Sequence, residues 1–452
     1  MKKIKKLLLV ITALSAMLSL SNCDKGFLDA KPDKSLLVPE SLADLRALLD
    51  NISILNLLPS LNIISADEFV LGDNFLTRLT SPIESGSYFW KDDAFQGATP
   101  QEWTNPYQQI FYSNVVLEGL DRLGNQNPTA LERDVKGCAF FFRSMALFNL
   151  SQLFAAPYVS STAKDLPGLP IPLSSDVNKR PGRGSLSALF AQIIADLSQA
   201  VSLLPERGEV KSRPGRQAAH AMLARVYLIM GDYEKALVEA NRALSIGSAL
   251  INYNTLSLTS NAPFGNALPN NNAELIFFGS RVSYTILNTG SLKVEPELLA
   301  LYDPSDLRLK IFFRDLGNGL INLKTYDGIG TDEVLLIKAE CLARANDSKA
   351  SVDILNSLLV NRFPAGKFVP LVATDASSAL GLVLNERRKE LVARGLRWSD
   401  LRRLNGDSRF LKRIIRIYNG SEVARLEPTS NRYTFPIPDN ELLLNSLEQN
   451  PR

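Results

Sequence analysis

Apolar residues along this chain recur mostly at a 3.6-residue period, and polar, proline and glycine positions cut that period into helices. Ser41 stands as a cap before Leu42, Leu45, Leu48 and Leu49. Helical patterns return from Pro106 to Leu123 and from Leu131 to about Phe154, and the proline-rich run from Leu166 to Pro172 breaks them. Ser185 caps a further helix with Leu189, Ile193, Leu197 and Val201 on one face, ended by Pro205. The clearest unit is 215–246, where an alanine-rich helix around Ala218–Leu228 meets a tight turn at Gly231-Asp232-Tyr233. A second helix then carries Ala236, Ala240 and Ala243 on one face. Small residues on facing sides let two antiparallel helices approach closely, as tetratricopeptide-type hairpins do. A looser echo lies at 333–361, and a last helical block runs from about Ser377 to Asn405. These patterns predict a mainly α protein, with helical hairpins at about 105–155, 185–246 and 332–405. Two stretches, about 65–104 and 250–330, lose the period and read as long irregular excursions with little β.

The N-terminus changes this picture. Lys2, Lys3, Lys5 and Lys6 precede an uncharged apolar run from Leu7 to Leu20, followed by Ser21, Asn22 and Cys23. A basic region, a short apolar region and small residues before a break mark an export signal. A cysteine at the cut makes it a lipoprotein-type signal, with Cys23 the acylated residue. The run is too short to span a bilayer, whereas two or more acyl chains hold a soluble body at a membrane surface. The expected organisation is a signal peptide at 1–22, a lipidated tether at 23–40 and one body at 41–452. Without the four signal lysines, 46 basic and 47 acidic residues remain, a net of −1. A near-neutral body carries no electrostatic footprint for nucleic acid. No second apolar stretch reads as long enough to cross a membrane. Cys138 and Cys341 sit in apolar helical stretches and read as buried small residues.

Catalytic constellations are missing. The one histidine, His220, lies inside the alanine-rich hairpin, where a packed residue is expected. There is no phosphate-binding loop, no nucleophile elbow and no C-x-x-C. Asp327–Glu333 lacks the ligand spacing of a calcium loop and reads as a turn into a helix. Asp67-Glu68 and Asp92-Asp93 are adjacent acids of the kind that usually sit on solvated loops. The expectation is a binding protein with no catalytic residues, no metal site and no cofactor.

Several segments together give the chain a resemblance to a known family. Cys23…Phe27-Leu28-Asp29…Pro32, Trp103…Tyr107…Ile110…Asn114, Phe142-Arg143-Ser144 through Leu150, and Ile193-Ile194-Ala195-Asp196-Leu197…Leu204-Pro205 follow each other in order. Tyr302-Asp303…Asp306…Arg308 comes later. Near the end stand Glu386-Arg387-Arg388-Lys389-Glu390-Leu391…Gly395-Leu396-Arg397-Trp398-Ser399-Asp400-Leu401-Arg402-Arg403 and Pro436-Ile437-Pro438…Glu441…Gln449-Asn450-Pro451. In these the chain resembles the SusD/RagB family of outer-membrane nutrient-binding lipoproteins of Bacteroidetes. Arg394 departs from the pattern, standing where an acidic residue is usual. The resemblance implies a superhelix of four helical hairpins, decorated by irregular segments that form the ligand face. It also implies a lipid-anchored, surface-exposed location and a SusC-like TonB-dependent barrel as partner. A glycan or peptide nutrient would be passed to the barrel with no bond broken.

Two groups of residues then acquire expected roles. The charges of Glu386, Arg387, Glu390, Arg397, Asp400, Arg402 and Arg403 alternate in sign around Gly395 and Trp398, and a structural ion-pair network is expected there. Exposed aromatics flanked by polar groups suit sugar rings and peptide side chains. Tyr88, Phe89 and Trp90, with Asp67 and Glu68, are the ligand candidates in the first excursion, and Arg281 and Tyr284 in the second. Trp103 and Trp398 are expected in the core. The alternative function is a tetratricopeptide-type scaffold lipoprotein that binds peptides on a concave face.

Overall fold

Ser185, Asp232, Asp375 and Thr129 each accept a backbone N–H of the first turn that follows them, and so start four of the long helices. Each such cap contributes roughly 1 kcal/mol. The computed structural model describes residues 39–452 other than 77–78, 266–271, 289 and 318. Cys23, the signal and most of the tether lie outside the described residues. Helices of eight or more residues are α1 (Leu42–Leu49), α2 (Gln101–Leu123), α3 (Ala130–Phe154), α4 (Leu186–Leu203) and α5 (Arg216–Met230). They continue as α6 (Tyr233–Ile246), α7 (Thr331–Arg344), α8 (Ser348–Leu359), α9 (Ala376–Glu390) and α10 (Arg397–Leu404). From α2 to α9, helices adjacent in sequence pack as neighbours in space, giving a superhelix of helical hairpins. Residues 41–452 form one compact unit.

The α5–α6 hairpin shows how sequence sets this packing. Ala218, Ala219, Ala221 and Ala224 on α5 and Ala236, Ala240 and Ala243 on α6 are all buried. Gly231 closes α5 at φ 75°, a left-handed conformation that glycine adopts without steric cost. His220 is buried there and its Nδ1 lies 2.6 Å from Glu239. Cys138 and Cys341 are buried free thiols. Helix α4 is, by length and composition, apolar enough to cross a membrane, against the expectation of no such stretch. Here its Leu189, Phe190, Ile193 and Leu197 face packs on α3, and its Asp196 is buried in an ion pair with Arg143.

The first excursion is more regular than its sequence suggests. Phe69–Leu71 is a strand, Pro82–Tyr88 is a helix capped by Ser81, and α2 already begins at Gln101 with Pro106 inside its second turn. The helical period was hidden because Glu84–Tyr88 is polar and glycine-bearing yet buried. Phe69–Leu71 pairs antiparallel with Leu292–Val294, which continues through Ile321–Leu323 to Phe313–Asp315. This small sheet ties the first excursion to the second.

One arginine organises the turn of chain around it. Arg416, on the strand Ile414–Tyr418, is 1% exposed. Its guanidinium donates to the carbonyls of Ile64, Ala66, Phe69 and Tyr88 at 2.8–3.3 Å, and lies over the rings of Tyr88 and Trp90. Buried carbonyls without a donor are costly, and here four are met by one side chain. Arg402 likewise closes the C-terminus of α3, donating to the carbonyls of Ser151, Gln152 and Ala155.

Candidate functional site

The Glu386–Arg403 segment is an interior network of ion pairs, apart from Arg402, which was expected among them and instead meets main-chain carbonyls at the end of α3. Arg308, fully buried, donates to Asp306, Glu386 and Glu390. Arg362, also fully buried, bridges Glu390 to Glu274. Arg387 and Arg403 share Asp400, and Arg403 reaches Glu340 at 2.6 Å. Arg397 forks onto both oxygens of Asp67 at 2.6 and 2.9 Å, and Arg388 adds a bond of 3.0 Å. Arg394 pairs with Asp332 and stacks on Tyr326. Gly395 sits at φ 73°, and a Cβ there would meet the amide of Asn62, which donates to the Gly395 carbonyl. Trp398 is completely buried against Tyr433 and Phe435. Glu274, Asp332 and Glu390 bring carboxylate oxygens within 4.8 Å of one another. Each already faces a guanidinium, from Arg362, Arg394 or Arg308, so protein cations meet that charge.

This network absorbs most of the expected ligand contacts. Asp67, Glu68, Tyr88 and Trp90 are 1–4% exposed, so they do not form an open face. Trp90 Nε1 donates to the Ser65 carbonyl, and the Tyr88 hydroxyl accepts from Leu71 N. Their polar edges are used locally, and their rings carry Arg416. Arg281 is half-buried on Asp327 and the Ala393 carbonyl, and the Tyr284 hydroxyl donates to buried Glu102. Phe89 alone of the first group stays half-exposed. It lines an open groove of about 560 Å³ with Lys91, Asp92, Val423, Arg425 and Arg432, and Trp90 reaches the groove's floor with almost no exposed area. The acids at Asp67-Glu68 are interior, whereas Asp92 and Asp93 are exposed.

The adjacent acids Asp67 and Glu68 are driven apart by their surroundings. Burial opposes ionisation of Asp67, but Arg397 and Arg388 outweigh it and hold its carboxyl well below the usual range. Burial, reinforced by the Asp67 charge, raises Glu68 to about 8, although its Oε1 accepts the Ala393 N–H. Between its ordinary value of 4.5 and about 8, Glu68 holds a proton in the folded chain that the unfolded chain has lost. Its contribution to stability is therefore present in full below the lower value and declines as pH rises through that window. Glu68→Gln, neutral throughout, is expected to flatten this decline. Urea unfolding at about pH 5 and about pH 8.5 checks it, and an unchanged slope would assign the decline to another group.

A more enclosed concavity lies elsewhere. One stripe of α2 presents Trp103, Tyr107, Phe111 and Asn114 to a groove of about 470 Å³. The connection from Pro170 to Pro181 forms the opposite wall, and the short helix Asp439–Asn445 closes one side with Glu441, Leu444 and Asn445. Trp103 is buried and packs its ring 5.0 Å from Tyr107, whose hydroxyl donates to the Pro170 carbonyl. Burial keeps the Tyr107 phenol far above its ordinary range, so it remains a neutral donor. Phe111 is 37% exposed and lines the groove. Thr104 and Lys179 are exposed on the rim. The residues at 103, 107 and 114 were legible only as a core helix. Phe111 was missed, although its place just off the buried phase marked by Ile110 was the available signal.

Two family models match the sequence in order. Residues 26–228 match one described as "Starch-binding associating with outer membrane", of the SusD-like type, and residues 331–452 match the SusD family. The chain belongs to the SusD/RagB family. Solved SusD-type structures share its fold. A putative sugar-binding protein of Bacteroides vulgatus is 24% identical, with TM-score 0.73 over 92% of this chain and 99% of its own. A SusD superfamily protein of Bacteroides thetaiotaomicron is 23% identical, with TM-score 0.72 over 91% and 100%. A surface glycan-binding protein A of Bacteroides fluxus is 16% identical, with TM-score 0.70 over 91% and 100%. A search of curated proteins gave no match. Within this SusD-family chain the two matched segments cover α1 to α5 and α7 to the C-terminus. The α2 stripe therefore lies in the first segment and the helix Asp439–Asn445 in the second.

Proposed function

We propose that this protein is a surface-exposed nutrient-binding lipoprotein. It captures a glycan, or another oligomeric nutrient, and passes it to a SusC-like TonB-dependent outer-membrane transporter. The two SusD-type matches, one of them described as starch-binding, carry this reading. Acylated Cys23 anchors the protein, and the tether to residue 40 joins the anchor to the body. The α2 groove is the capture site. Tyr107 and Phe111, one helical turn apart, offer a stacking surface for successive sugar rings, with Thr104, Lys179 and Glu441 to meet hydroxyls. In this reading the ligand leaves the groove unchanged. The apolar rim residues Leu444 and Val177, 64% and 71% exposed, favour peptide capture as the second reading.

Calorimetric titration of the mature protein with a malto-oligosaccharide series, and with a peptide pool in parallel, tests the ligand. Heat from neither arm defeats the capture reading, and heat from peptides alone selects the second one. For the anchor, labelled palmitate is expected on the wild-type chain and absent from Cys23→Ser. Equal labelling of both places the lipid elsewhere.

A further inference from the structure

The groove's opposite wall has little to hold it in place. Among the described residues, the main chain of 171–178 makes no backbone hydrogen bond to another element. Two side chains of α2 supply the missing ties. Asn114 Nδ2 donates to the carbonyls of Pro172 and Ser174, at 2.9 and 3.1 Å. One turn on, the Glu118 carboxylate accepts from the Ser174 hydroxyl, from Ser175 N at 2.9 Å and from the Ser175 hydroxyl.

Asn114 is itself held from behind. Its Oδ1 accepts from Arg143 at 2.9 Å, which leaves the amide NH₂ facing the wall. Arg143 forks onto Asp196 with two bonds of 2.7 Å, and Gln192 adds a third donor to the same carboxylate. Both charges of that pair are buried. A fixed cation behind Oδ1 settles which end of the amide faces forward, because a flipped amide would set its NH₂ against the guanidinium. The sequence motifs that carry Arg143 and Asp196 thus connect, through one amide, to the outermost wall of the groove.

We propose that Asn114 and Glu118 are positioning residues that clamp the 172–175 wall at a fixed distance from Tyr107 and Phe111, and that the Arg143–Asp196 pair sets the clamp. The claim that this width tunes affinity rests on the groove being the capture site. The clamp itself does not depend on that reading. A wall held by two side chains is a preorganised one, and binding then spends less on ordering it.

Hydrogen exchange on the full mature chain tests the clamp without any ligand. Asn114→Ala and Glu118→Ala are each expected to speed exchange by about tenfold or more at Ser175 and Asp176, wall amides whose acceptors are Glu118 and Ser174, with α3 and α4 unchanged. Ser175→Ala, on the half-exposed wall, removes one Glu118 bond and leaves every helix intact. It is expected to give a smaller rise confined to the same residues. Unchanged exchange in all three variants overturns the clamp. Titration with the oligosaccharide that binds best is then expected to show about tenfold weaker binding for Asn114→Ala and Glu118→Ala. Loosened exchange with undiminished affinity overturns the link between wall and ligand. Absence of binding to the wild type defeats the capture reading instead, and the exchange result still decides the clamp.

Discussion

Arg308→Met is expected to remove about 3–5 kcal/mol of folding stability, because it takes a bond from three buried carboxylates at once and leaves Asp306 without its cation, while Glu390 keeps Arg362 and Glu386 keeps Lys389. Asp306, Glu386 and Glu390 all bond this guanidinium, and two of the three partner side chains have no exposed area. Burial on its own would raise Glu390, and Arg362 with Arg308 brings it below its ordinary value. Removing Arg308 therefore leaves Arg362 to serve Glu390 and Glu274 alone. The stability measurement is urea unfolding at neutral pH, with Arg308→Lys as the companion variant. Lysine keeps the charge but not the fork, so it should recover only part of the loss. A loss below about 1 kcal/mol for the methionine variant would show that the network is not what holds α9 in place.

Phe111→Ala is expected to weaken ligand binding by about 2 kcal/mol, or roughly thirtyfold, while leaving stability nearly untouched. The ring is more than a third exposed in the free protein and lines the groove, so truncation leaves little cavity behind. Titration of the best oligosaccharide, set beside thermal unfolding of the same variant, separates the two effects. An affinity equal to wild type, with the fold intact, removes Phe111 and with it the α2 stripe as the stacking surface. Tyr107 is the poorer choice for this experiment, since its hydroxyl also fixes the Pro170 carbonyl.

The hairpins were legible because their signals are local. Ser185, Gly231 and Asp232 sit where caps and turns need them, and the alanine stripes of α5 and α6 state their own spacing. The excursions were not legible, because their order comes from residues far away. Asp67 and Glu68 look like solvated acids until Arg397 and the Ala393 N–H arrive from the other end of the chain. Trp90 looks like an open platform until Arg416 and the Ser65 carbonyl take its face and its edge. The α2 groove was hidden for the opposite reason. Helical periodicity names the buried phase of α2 but says nothing of which loop covers the remaining phase. Asn114 and Glu118 reach that loop across 56–60 residues of sequence.

Arg416 gives the molecule an order of assembly. Its four carbonyl partners lie 328–352 positions earlier in the chain, and closing so long a loop is slow and entropically late. A polypeptide emerging from a ribosome, or threading a pore with its first residues ahead, holds those carbonyls in water until position 416 has also come through. The carbonyls of 64–88 therefore gain their donor only after most of the chain has emerged.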